Sequence, residues 1–144
     1  MKILKPLVCL LFLSLVFSSC SNDDDVVLDK NGEKIIGTWR LFEIVEDGEP
    51  LNMGTCLPQS TVEFKAEGIF VANLVSDEPN EGGGCLEQTN TGQWKYLGDN
   101  EFETTSDGET EIQKIIFSEN GTVFGITTEY DDGAIVVDSF VKID

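Results

Sequence analysis

The sequence predicts an all-β fold, an eight-stranded antiparallel barrel in up-and-down order, behind an N-terminal export signal and a short tether. Three observations lead there. Runs rich in Val, Ile, Phe, Thr and Trp recur from residue 36 to residue 143, divided by Gly, Asn, Asp and Glu. No window sustains a helical period for more than a turn or two. Most links between the runs are short, so neighbours in sequence become antiparallel neighbours in a sheet.

The first 19 residues stand outside that fold. Lys2 and Lys5 precede LVCLLFLSLVF, residues 7–17, an apolar stretch with one polar interruption. A positive start, an apolar run of this length and small residues at its end make a secretory signal. The run is too short for a membrane-spanning helix, which needs roughly 20 apolar residues. Ser18-Ser19-Cys20 resembles the lipobox of bacterial lipoproteins, with Phe17 where that family prefers leucine. The resemblance implies cleavage before Cys20 and a lipid on Cys20 as the first mature residue, so the partner at this end is a membrane. Ser21-Asn22-Asp23-Asp24-Asp25 follows, three adjacent carboxylates that belong in water. The tract resembles the acidic signal that directs some Gram-negative lipoproteins to the outer membrane and its outer face. The expected organisation is a signal at 1–19, an acidic tether at 20–34 with a linker or one helical turn at its end, and a barrel domain at 35–144.

Eight strands are expected, at 36–46, 60–65, 69–76, 92–97, 101–106, 112–118, 122–130 and 134–143. Turn chemistry separates several of them. Gly68, Gly121 and Gly133 stand where a tight reversal demands positive φ, and Gly98-Asp99-Asn100 joins the fourth strand to the fifth. Alternation assigns faces. Val62 and Phe64 share one, Trp94 and Tyr96 another, and Ile135, Val137, Val141 and Ile143 are expected to face the core, with Asp138 and Lys142 opposite. In the first strand Trp39 and Leu41 are out of phase with Phe42 and Ile44, which calls for a bulge or bend near Leu41. Sequential antiparallel strands form either a sandwich or a closed barrel; closure removes both edges, and the absence of a long crossover favours it.

Composition narrows the chemistry. Removing 19 residues from 144 leaves 125, enough for one domain with a core. That chain carries 7 basic against 27 acidic residues, a formal charge of −20, and has no basic stripe to meet a phosphate backbone, which argues against nucleic acid. Without histidine, the Ser-His-Asp and Cys-His arrangements and the usual catalytic zinc sites are excluded. The triple glycine 82–84 lacks the lysine and hydroxyl residue of a phosphate-binding loop. Glu129, Asp131 and Asp132 do not follow a known calcium-loop spacing. No catalytic residue, metal or cofactor is therefore assigned. Cys56 and Cys85 remain as an even pair in an oxidising compartment, and two cysteines 29 apart do not make a zinc site, so a disulfide is expected. The two long inter-strand segments, 48–59 and 77–91, hold these cysteines, and a bridge would clamp one mouth of the barrel.

Ile36-Gly37-Thr38-Trp39 resembles the Gly-x-Trp signature of lipocalins. The layout is more closely similar to the compact lipocalin-like domain of bacterial secreted lipoproteins. That pattern has a hairpin matched by Val62-Glu63-Phe64-Lys65-Ala66-Glu67-Gly68-Ile69-Phe70 and a strand matched by Gly92-Gln93-Trp94-Lys95-Tyr96, with a cysteine before each. The resemblance implies a lipocalin-like barrel in which Trp39 packs across the closed end. A barrel of this size holds one small ligand or is filled by its own side chains. Phe64, Phe70, Trp94, Tyr96, Phe102 and Phe124 are the candidates to line an apolar cavity for a small hydrophobic ligand. The alternative is a non-catalytic module that presents its loops, 47–57 and 81–84, to a protein partner.

Overall fold

The computed structural model describes residues 30–77 and 84–144. A single turn of helix, α1 (Lys30–Lys34), leads into nine strands: β1 (Gly37–Glu46), β2 (Glu49–Pro50), β3 (Thr61–Phe64), β4 (Ile69–Ser76), β5 (Leu86–Gly98), β6 (Glu101–Ser106), β7 (Glu109–Phe117), β8 (Val123–Glu129) and β9 (Ile135–Lys142). Eight of them pair antiparallel in sequence order, and β9 returns to β1 to close the barrel. β2 is a two-residue ribbon on the end of β1. The barrel is therefore closed and leaves neither β1 nor β9 as a free edge.

Two strands begin earlier than their sequence suggests. β5 starts at Leu86, six residues before Gly92, and β7 starts at Glu109. The cause at β7 is a two-residue hairpin. Asp107 and Gly108 both take positive φ, 52° and 84°, and Ser106 pairs directly with Glu109. That is the mirror-image turn that matches strand twist, and Asp-Gly is its preferred sequence. Residues 86–91, LEQTN followed by Thr91, pair with 71–76 although both faces of this stretch are polar or exposed.

The expected irregularity in β1 is present. Its pairing with β9 shifts register between Leu41 and Glu43. Before the bulge, residues 37–40 pair with β3; beyond it β1 leaves β3, and the last bond across that seam runs from the Leu41 amide to the Ser60 carbonyl at 2.9 Å. The gap opened there is filled by a 3₁₀ turn (Leu57–Gln59). Buried Ser60 ties this turn to the end of β4, its hydroxyl accepting from the Val75 amide at 2.9 Å.

One face assignment is corrected. On β9 it is Asp138, Phe140 and Lys142 that point inward; Ile135 and Ile143 are 46% and 50% exposed on the outer wall. Every second residue shares a face, but alternation alone does not say which face is inside. Here the more apolar set, with Ile135, Val137 and Val141, faces out, and the pairing of Phe140 with inward Leu41 and Phe124 decides the matter.

The core fills one end of the barrel. Ile35, Trp39, Phe64, Phe70, Trp94, Phe102, Ile115 and Phe124 form a single buried cluster. Its rings meet edge-on or tilted: Trp39 stands 4.7 Å from Phe124, and Phe64 stands 5.9 Å from Trp94 at 90°. These are the arrangements that the ring quadrupoles favour. The two indole N–H groups are satisfied by backbone carbonyls, Trp39 Nε1 donating to Ile35 at 2.6 Å and Trp94 Nε1 to Lys65 at 2.9 Å. Lys142 seals the outside of this end, donating to the Ile36 carbonyl at 2.8 Å with its ammonium 5.2 Å above the Trp39 ring.

Candidate functional site

The opposite end of the barrel is not filled. Here β1 ends, β3 begins, and the strands β4–β9 carry smaller or polar inward residues. The result is a cavity of about 410 Å³. That volume falls within the range of small-molecule pockets, roughly 300–1,000 Å³.

Its floor is aromatic. Phe64, Phe70, Phe124 and Phe140 rise from the core cluster into the cavity, with Phe124 and Phe140 stacked at 4.9 Å. Val62, Ala72, Leu74 and Ile126 complete the apolar wall. Gly92 makes the floor possible. It is paired with Phe70 on the inner surface, and a Cβ there would lie 2.6 Å from the Phe70 ring and against the Thr105 carbonyl. The missing side chain is the space the ring occupies.

The upper wall is polar. Asn90, Thr104, Ser106, Gln113 and Thr128 face the cavity, as do three carboxylates, Glu109, Glu111 and Asp138. Asn90 Nδ2 donates to Ser106 Oγ at 3.3 Å, and Gln113 Nε2 lies 3.5 Å from Glu111 Oε2. Asp138 differs from the two glutamates. They stand at the exposed rim, whereas Asp138 is partly buried, and its cross-strand neighbours are Ile44 and Ile126. No side chain or amide among the described residues bonds to its carboxylate, and burial raises its pKa above the ordinary 3.8. Among the described residues no lysine or arginine lines the cavity.

The mouth is clamped. Cys56 and Cys85 form a disulfide with Cα atoms 5.5 Å apart, joining the β1–β3 segment to the start of β5. Asp77 reinforces the clamp from the end of β4, its carboxylate accepting from the Cys56 amide at 3.0 Å. A second cleft of about 420 Å³ lies on the outer wall beside Ile69, Gln93, Lys95 and Glu103. Among the described residues Trp94 is the one aromatic that lines it, and it opens to water between the charged side chains of Glu67, Lys95 and Glu103.

Of the aromatic residues singled out in the sequence, the structure places Phe64, Phe70 and Phe124 at the cavity. Trp94 and Phe102 are buried in the closed end, where Tyr96 packs on Phe102 at 4.9 Å, and Trp39 lies at its centre, fully buried. Cys20 falls outside the described residues. Phe140, Asp138, Glu109 and Glu111 were not singled out. The Asp107-Gly108 hairpin could have revealed the two glutamates, since a strand that begins at 109 puts both in phase with Gln113 and Ile115. Among the described residues no three carboxylate or thiol groups converge in a way that could hold a metal ion.

A closed up-and-down barrel, plugged by aromatics at one end and hollow at the other, defines the class: a single-chain β-barrel with an internal cavity. The chain belongs to the lipocalin-like domain family, whose model matches residues 35–126. Its barrel is similar to bovine odorant-binding protein complexed with its natural ligand, at 15% identity and a TM-score of 0.44 over 81% of this chain and 76% of that one. It is also similar to possum trichosurin, a milk whey lipocalin with bound 4-ethylphenol, at 12% identity and a TM-score of 0.42 over 72% of each chain. A redesigned β-barrel matches at 11% identity and a TM-score of 0.45 over 78% of this chain and 94% of that one. No curated protein matches the chain in sequence.

Proposed function

We propose that this protein is a non-catalytic lipoprotein of a Gram-negative outer membrane, anchored through Cys20, whose barrel binds a small hydrophobic ligand. The observation that carries the binding role is the cavity with its floor of four phenylalanines. A rigid apolar floor below a few placed polar groups is the usual construction of a small-molecule site. Membership of the lipocalin-like family agrees with it. The anchor rests on the signal, the small residues before Cys20 and the acidic tract after it.

Native mass spectrometry of the domain from Ser21 onward, purified from its host's periplasm, tests the binding role. An extra mass that leaves on denaturation is the expected result. Titration with the neutral dye N-phenyl-1-naphthylamine supplies an independent reading: fluorescence should rise on binding, and Ala72→Trp, which fills the cavity, should abolish the rise. A clean apo mass together with no dye binding would overturn the proposal in favour of a module acting through its loops. For the anchor, Cys20→Ser should leave a folded barrel that no longer partitions with membranes; continued partitioning would refute it.

A further inference from the structure

The cavity has a chemical polarity that a simple hydrophobic pocket lacks. Its apolar floor ends in a wall bearing Asp138, Glu111 and Glu109, with no basic side chain among its lining residues. We propose that the preferred ligand is a small amphiphilic amine, its hydrocarbon body on Phe64, Phe70, Phe124 and Phe140 and its ammonium against Asp138, with Glu111 nearby on the rim. This assignment rests on the binding role above and narrows it to one ligand class.

Asp138 supplies the main reason. A partly buried carboxylate whose cross-strand neighbours are two isoleucines, and to which no side chain or amide among the described residues donates, is poorly solvated. Its raised pKa records the same penalty. An ammonium placed beside it would bring both the missing charge and donor hydrogens. A fatty acid entering the same space would add a fourth negative charge, and like-charge juxtaposition is an efficient way to reject a wrong ligand. A neutral alcohol would satisfy the polar wall without the charge pairing. The surrounding field acts in the same direction, because a strongly acidic protein raises the local concentration of cations at its mouth. The glutamates contribute less, since exposed carboxylates are screened by water and salt.

Octylamine, 1-octanol and octanoate share one hydrocarbon body and differ only in the head group. Calorimetric titration of each into the domain at neutral pH should give the order amine, then alcohol, then carboxylate, with amine favoured over alcohol by about tenfold, equivalent to about 1.4 kcal/mol. Asp138→Asn keeps the shape of the side chain and removes its charge; it should collapse the amine preference and leave alcohol binding in place. Glu111→Gln should reduce the preference by less. Equal or tighter binding of octanol or octanoate, or an amine preference that survives Asp138→Asn, would overturn the assignment. If the alcohol and the neutral dye bind but the amine has no advantage, the ligand class alone is wrong. If none of the four binds, the binding role fails with it.

Discussion

Removing the Cys56–Cys85 bridge gives the sharpest test of how this barrel is held together. The linked residues are 29 apart. A closed loop of about 30 residues restricts the unfolded chain by ~12 cal/mol/K, or ~3.6 kcal/mol at 25 °C, on the chain-entropy account. For a domain of this size ~1 kcal/mol moves Tm by about 4 °C, so the loss should appear as a fall of about 14 °C. Cys56→Ala with Cys85→Ala, compared with the reduced wild-type protein, separates the cross-link from packing of the buried Cys56 side chain. Urea unfolding of all three forms gives the stability loss and the m-value. The m-value should rise without the bridge, because the freed chain exposes more surface. A loss below about 1 kcal/mol with an unchanged m-value would refute the entropic reasoning. It would mean that Asp77, already bonded to the Cys56 amide, and buried Ser60 hold the mouth without the bridge. Faster ligand release from the reduced protein should accompany the stability loss, since the bridge anchors the turn that fills the opening between β1 and β3.

Three further outcomes follow from named contacts. Phe124→Ala removes a fully buried ring that touches Trp39, Phe117 and Phe140, and should cost about 3–5 kcal/mol in urea unfolding. Gly92→Ala should cost about 1–3 kcal/mol through overpacking, because its methyl group must push back both the Thr105 carbonyl and the Phe70 ring of the cavity floor; an unchanged urea midpoint would show that strand and ring both have room to retreat. Asp138→Asn should raise Tm at pH 7. Burial lifts the Asp138 pKa, so the folded protein holds this proton more tightly than the unfolded chain does. The resulting stability is fully present below about pH 3.8, the ordinary value, and is lost as pH rises through the higher folded value. The variant's advantage should therefore shrink on acidification and disappear near pH 3.8. Burial is the cause of the shift; the charged groups on the facing strands are Glu46, in phase with Ile44 on β1, and Glu109 and Glu111, which line the same cavity, while the inward positions of β8 are Phe124, Ile126 and Thr128.

Much of the barrel was legible because its closed end follows simple rules. Large aromatic residues alternate with polar ones at Phe64, Trp94 and Phe102, and glycines at positive φ mark the reversals at 68, 121 and 133. The paired cysteines stood in the only two long segments between strands, so their bridge was readable too. The hollow end was harder to see for the reason that makes it useful. At residues 86–91 and 109–111 the inward and outward faces are both polar, so there is no contrast in hydrophobicity to reveal a strand. Asn90, Glu109 and Glu111 enter the cavity from those stretches. β9 presents the opposite difficulty, with valines and isoleucines outside and Asp138, Phe140 and Lys142 inside, so that alternation pointed to the wrong face.

By itself the sequence determined the number of barrel strands, their antiparallel order, the bulge in β1 and the residues available to fill a core, because propensity, turn chemistry and period are local properties of the chain. Tertiary structure alone decided that Asp138 points inward, that Phe140 joins the floor, and that the aromatic rings gather at one end and leave the other open. Those outcomes depend on the register in which β9 meets β1 and β8, and a shift of one residue there would turn Asp138 out to water and Val137 into the cavity.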